Sequence, residues 1–179
     1  FIKAHRENKV ITCGKHFPGL GSASGDTHEG ISDITNSWTV KDLQPFDKLV
    51  QDNVLDTVMV SHAFDKKLDP NYPSSLSQNI ITKMLRDDLG FEGVVICDDP
   101  SMRAISDHYS LEETFKLMLD AGIDLFCLGN NLIYDPNYIP NAINSVCNLI
   151  ASGKIKKTRI EQSIDKIELL KSNYGIGKK

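Results

Sequence analysis

Short apolar runs alternate along the chain with longer segments whose apolar residues recur every three or four positions, the order of strand followed by helix. Residues 10–14 read as the first strand, followed by a long polar, glycine-rich loop to about Trp38. A helix is expected over residues 41–53 and a second strand over 56–61. The next helix covers 77–90, with Ile80, Ile81, Met84 and Leu85 as its apolar stripe and Gly90 as its C-terminal cap. Residues 93–97 form a continuous apolar run, as in a parallel strand covered on both faces. Ser110 followed by Glu113 is a capping box, opening a helix that stops at Gly122. Residues 123–128 are the fourth strand, and a helix over 140–152 follows. Thr158 with Glu161 makes a second capping box for a last helix ending near Tyr174, with Gly175 past its end.

Four βα units in series imply a parallel sheet with right-handed crossovers. Two architectures meet that description: a small open doubly wound sheet, or half of an eight-stranded barrel. Ligands bind at the carboxyl ends of the strands in both. The polar residues gather at those ends: Lys15 and His16, then Asp26 and His28; Ser61 and His62; Asp98 and Asp99; Asn130 and Asn131. Such convergence marks a site. The loop from Lys15 to about Val40 exceeds most connections in a compact domain, which signals function or disorder.

Composition narrows the function classes. The 179 residues suffice for one domain with a core, and 40% hydrophobic with 25% charged residues is ordinary for a globular protein. A net charge of -4 argues against nucleic acid or an anionic membrane as partner, and no run approaches the length of a membrane span. Cys13, Cys97, Cys127 and Cys147 are widely spread, and their spacing suits no common structural zinc site. Three of them lie in apolar runs and read as small buried hydrophobes, which fits a reducing compartment; a cytoplasmic location is expected. Phe1 in place of a methionine reads as the start of a truncated or processed piece.

Asp26 and His28 stand two apart on the long loop, so the carboxylate can orient an imidazole for proton transfer near neutral pH. The plainer alternative is that Asp26 caps a turn and His28 faces solvent. Asp98-Asp99 ends a buried strand, where a carboxylate can act as nucleophile. The pair can equally bind a divalent metal, or Asp99 can cap the segment 100–104. His62 reads as a hydrogen-bonded wall residue, and Lys15 and His16 either bind sugar hydroxyls or pair with neighbouring carboxylates.

These segments resemble the β-N-acetylglucosaminidases of glycoside hydrolase family 3, which act on cell-wall muropeptides. That family shows K-H-F-P-G-H-G, four residues, then D-S-H; here Lys15-His16-Phe17-Pro18-Gly19-Leu20-Gly21 is followed after four residues by Asp26-Thr27-His28. The family's S-D-D-L-S-M segment corresponds to Cys97-Asp98-Asp99-Pro100-Ser101-Met102. Asp42-Leu43-Gln44-Pro45-Phe46, Ser61-His62-Ala63, Leu85-Arg86 to Gly93 and Ala121-Gly122-Ile123-Asp124 also follow the family's order. Leu20 replaces the usual histidine and Pro100 the usual leucine; Pro100 fixes its own φ beside the nucleophile segment.

The resemblance implies the C-terminal half of a TIM (β/α)8 barrel, with residues 1–179 a partial catalytic domain lacking its upstream half. It implies retaining removal of terminal non-reducing β-linked N-acetylhexosamine, with Asp98 as nucleophile, His28 as acid/base and Asp26 orienting it. Lys15 and His16 would bind the sugar, and no metal or cofactor is required. The implied partner is an N-acetylglucosamine oligosaccharide or muropeptide. Four strands cannot close a barrel, so an upstream half or a second copy is expected to complete it. Two alternatives stand beside the hydrolase: an inactive half-barrel serving sugar binding or assembly, and a phosphorylase.

Overall fold

The computed structural model describes residues 1–20, 30–131 and 134–177. Its sheet has four parallel strands in the order β1-β2-β3-β4: β1 Cys13–Phe17, β2 Thr57–Val60, β3 Val94–Cys97 and β4 Leu125–Phe126. Sequential order is the winding of a barrel wall, whereas a doubly wound sheet reverses direction part-way. The crossover helices agree. Phe46 of α2 (Val40–Gln51), Ile80, Ile81 and Leu85 of the π-helix Asn79–Asp88, and Met118 and Ala121 of α4 (Leu111–Ala121) pack in one cluster with Val58, Val60, Val95 and Cys97 of the sheet. Full burial of each such aliphatic side chain stabilises by roughly 1.5–3 kcal/mol.

Side chains alternate across a strand, so the next residues along face the opposite way. Lys15, Met59, Ile96 and Leu125 lie side by side in register on that second face. Met59 and Ile96 are only half-buried and Leu125 is 42% exposed. One face is a helix-covered core; the other is buried at Thr57 and Val94 and opens towards the carboxyl ends of the strands.

The first strand starts three residues later than the apolar run suggests. Val10 is exposed, and pairing begins only after Thr12, whose N–H and hydroxyl donate to Asp56 Oδ2 at 3.1 and 2.9 Å. Because β1 is an edge strand with a polar open face, its pattern lacks the alternation that would have marked it. Helix α1 (Ile2–Glu7) buries none of its residues, so no apolar stripe announces it. Ser110 accepts from the Glu113 N–H and Gly122 closes α4 at φ 111°, as the capping signals imply. The Thr158 box does not form: α6 spans Lys157–Asn173 with Lys156 at its N-cap, leaving Thr158 inside the first turn. Helices α3 (Arg103–Ser106) and α5 (Tyr138–Ala151) complete the set, the latter starting two residues before the expected proline.

Helix α6 runs along the amino-terminal ends of the strands. Near its start, Arg159 donates to the carbonyls of Leu119 and Ile123 at 2.9 and 2.7 Å. Ser163 donates to Asp124 Oδ1 at 2.7 Å, and Arg86 binds the other oxygen of Asp124 at 2.7 Å. Just past its end, the Tyr174 hydroxyl donates to Asp56, the carboxylate that also receives Thr12 and pairs with Arg6. Buried carboxylates are tolerated because each is met by several donors. The cysteine expectation fails for two of the three in apolar runs: Cys97 is buried, while Cys13 and Cys127 are exposed, as is Cys147. Cys13 and Cys127 share the parity of Lys15 and Leu125, on the open face.

Candidate active site

The carboxyl ends of the strands carry the polar groups singled out by sequence. At the end of β1 the peptides Lys15–His16 and Phe17–Pro18 are cis, and the register with β2 slips between Lys15 and Phe17. The chain then turns at Gly19, whose N–H donates to the His16 carbonyl at 2.8 Å. Gly19 has φ 104°, and a Cβ there would lie 2.7 Å from the Asp42 carbonyl oxygen, so only glycine fits. Asp42 in turn caps α2 by accepting the Thr39 N–H at 2.7 Å, and the Trp38 indole donates to the Pro18 carbonyl at 3.0 Å. The β1 exit is thereby fixed against the start of α2.

Asp98 follows β3, its N–H donating to the Val60 carbonyl at 3.1 Å. Its Oδ1 accepts the Asp99 N–H at 2.9 Å. Its Oδ2 lies 3.7 Å from His16 Nε2, with both side chains retaining 21–28% exposure. One oxygen is anchored, the other faces the mouth.

Asp99 is different. It is buried, and both oxygens are taken by backbone donors: Oδ1 by the Ser101 N–H at 2.9 Å and Oδ2 by the Gly129 N–H at 3.1 Å. The two adjacent aspartates therefore do not present a pair of open carboxylates, and Asp99 caps the turn that follows. Among the described residues, no three His, Cys, Asp or Glu side chains gather closely enough to hold a metal ion.

His62 is fully buried behind this turn, with Nδ1 2.7 Å from Ser75 Oγ and Nε2 2.9 Å from the Asp99 carbonyl oxygen. Burial pushes its pKa below the usual value, against the opposing pull of the Asp99 contact and the Asp98 charge. The wall role expected from sequence is what the geometry shows. Burial first, then the Asp99 charge, raises the Tyr138 phenol, whose buried hydroxyl has no hydrogen-bond partner among the described residues. The Cys127 thiol is likewise held up by burial and by Asp99 and Asp98, so it stays neutral beside the carboxylates.

Lys15, His16 and Asp98 are thus brought to one end of the sheet. Asp26 and His28 lie outside the described residues. Sequence reasoning missed Ser75, Gly129 and Tyr138. Only Gly129 carried a signal, a glycine directly after an apolar strand, and its value depends on a partner thirty positions away.

Residues 1–170 match the family model described as the glycosyl hydrolase family 3 N terminal domain. The chain belongs to glycosyl hydrolase family 3. Among its family 3 relatives, the β-hexosaminidase of Psychromonas ingrahamii is 31% identical over 180 residues, covering 97% of this chain and 49% of that protein. A family 3 β-N-acetylglucosaminidase from Paenibacillus superimposes with TM-score 0.90 at 27% identity, over 99% of this chain and 34% of that one. The β-N-acetylglucosaminidase of Thermotoga maritima gives TM-score 0.82 at 32% identity, covering 99% and 37%. This chain spans about half the length of the Psychromonas relative. The four βα units with parallel strands are the C-terminal half of the barrel that the resemblance implies, and the doubly wound alternative is set aside.

Proposed function

We propose that this chain carries the nucleophile half of a retaining glycosidase that removes terminal non-reducing β-linked N-acetylglucosamine, with peptidoglycan fragments as the substrate class. Family membership and the names of its relatives support the sugar. The observation that carries the reading is the split state of Asp98, with Oδ1 anchored by the Asp99 N–H and Oδ2 turned to the mouth beside His16. Such a carboxylate is pre-aimed along one oxygen.

In the first step Asp98 Oδ2 bonds to the anomeric carbon as the glycosidic C–O bond breaks, and His28 gives its proton to the leaving oxygen. In the second, His28 takes a proton from water, whose oxygen displaces Asp98 and restores the original anomeric configuration. Asp26 orients the His28 ring, and Lys15 and His16 hold sugar hydroxyls. A neutral imidazole left after proton donation adds no second negative charge beside the nucleophile.

Closure of the barrel belongs to the same proposal. The edges β1 and β4 and the open face need covering, and upstream βα units of the same protein, or a second copy, supply it. The twofold length of the relatives supports the first source. An apolar cavity of about 280 Å³ between α4, α5 and α6, with Ile143 and Ile164 exposed at its rim, is suited to an added helix. The open edges also favour a second reading, in which this half binds sugar or assembles without turning over alone.

The test is hydrolysis of an aryl β-N-acetylglucosaminide by the full-length protein. Asp98→Asn and His28→Ala are each expected to lose on the order of 10³-fold or more in kcat/KM. A wild-type rate in Asp98→Asn overturns the assignment. The same assay on residues 1–179 alone separates the two readings.

A further inference from the structure

The buried imidazole behind the Asp98-Asp99 turn has no place in the steps above, yet its contacts point at them. We propose that His62 is a positioning residue: by holding the Asp99 carbonyl it fixes the turn that aims the Asp98 carboxylate. The proposal rests on Asp98 being the nucleophile.

The partners assign the proton. A carbonyl oxygen only accepts, so the His62 nitrogen 2.9 Å from the Asp99 carbonyl, Nε2, carries hydrogen. In a neutral ring Nδ1 is then the acceptor, and it receives the Ser75 hydroxyl at 2.7 Å. Complete burial and a lowered pKa keep the ring neutral, so this tautomer is the one present. Ser75 and His62 do not form a nucleophile–base pair, because both are 0% exposed and no substrate reaches them.

The Asp99 carbonyl accepts a second bond from the Met102 N–H at 3.0 Å. With its carboxylate held by Ser101 and Gly129, every acceptor of residue 99 is engaged, and its own N–H is the group that fixes Asp98 Oδ1. Pro100 adds stiffness, since a residue preceding proline is confined to extended backbone. Among the described residues His62 supplies the one side-chain donor in this arrangement, reaching across 37 positions from the end of β2. Without it the turn keeps the Asp98 N–H bond to the Val60 carbonyl and the Gly129 bond, but the Asp99 carbonyl loses its tie to the segment after β2. The residue whose N–H anchors Asp98 Oδ1 is then held less firmly, and a misplacement near 1 Å costs about 10²-fold in rate.

The experiment uses the full-length protein with an aryl β-N-acetylglucosaminide and four variants. His62→Leu keeps the volume and lacks a donor; its kcat is expected to fall about 10²-fold with KM within about twofold of wild type. His62→Gln can return an N–H to the Asp99 carbonyl and is expected to recover about tenfold over His62→Leu. Ser75→Ala, which removes only the lock on the tautomer, should lower kcat by about tenfold at unchanged KM, and stands in if His62→Leu does not fold. Asp98→Asn is the control for the underlying reading. A wild-type kcat in folded His62→Leu or in Ser75→Ala overturns the positioning role, as does His62→Gln no better than His62→Leu. Turnover surviving in Asp98→Asn removes the nucleophile assignment and the positioning role with it.

Discussion

The Gly129 N–H donates to Asp99 Oδ2 at 3.1 Å, and a Cβ on Gly129 would lie 2.6 Å from that same oxygen. The loop after β4 is thus joined to the turn after β3 by a contact that only a glycine permits. Substituting alanine forces Asp99 to withdraw and leaves a buried carboxylate oxygen unmet. Gly129→Ala is expected to lower unfolding free energy by about 1–3 kcal/mol. Urea titration of the purified chain measures it, and an unchanged midpoint would show that the turn has room to relax.

Asp124 meets Arg86 in a pair whose side chains are 2% and 16% exposed, backed by Ser163. Removing one member strands a buried charge, so Asp124→Ala should cost about 3–5 kcal/mol. The double change Asp124→Leu with Arg86→Met also removes the stranded Arg86 charge, but leaves Arg159 and the buried Val95 N–H without their acceptor, so it is expected to recover only part of that loss. A double variant as unstable as the single one would show that the bonds from Arg86 to the Phe91 and Gly93 carbonyls, at 2.8 and 2.6 Å, matter more than the charge pair.

A pH dependence of stability follows from His62. Its folded pKa lies below the usual 6.5, so below pH 6.5 the unfolded chain takes up a proton that the folded chain refuses. Stability from this group is complete above 6.5 and declines as pH falls towards the lowered folded value. The slope is at most about 1.4 kcal/mol per pH unit. Urea midpoints taken from about pH 5 to 8 on wild type and His62→Gln test this; the variant should be flatter below 6.5, and parallel curves would contradict it.

Thiol accessibility gives a fourth test. Cys97 is fully buried with its pKa pushed up by burial, whereas Cys13 and Cys147 are exposed. With a maleimide near pH 8, Cys13 and Cys147 should label first. Cys127 follows more slowly because burial and the neighbouring aspartates disfavour its thiolate, and Cys97 labels only in denaturant. Peptide mass mapping reads the order directly.

What could be read from sequence was what neighbours decide. Ser110, Glu113 and Gly122 cap α4 through contacts within a turn, and Ile80, Ile81 and Leu85 share a helix face by spacing alone. The errors arose where distant partners decide. Thr158 has the local form of a cap, but α6 begins two residues earlier than that cap would place it, with Arg159 drawn to carbonyls at 119 and 123. The cysteines in apolar runs read as core, yet Cys13 and Cys127 are exposed, on the strand face away from the helices. The Asp98-Asp99 pair stands out in the sequence, but the different surroundings of its two members do not, since those are set by Gly129 and His62, thirty and 37 positions away.

Helix α6 ties Asp124, before β4, to Asp56, before β2. It therefore acts as a girder beneath the sheet, keeping the staves at fixed spacing from below while their upper ends carry the candidate site. Shearing that girder at Tyr174 would be felt first as a splaying of the far rim, on the side where Asp98 waits.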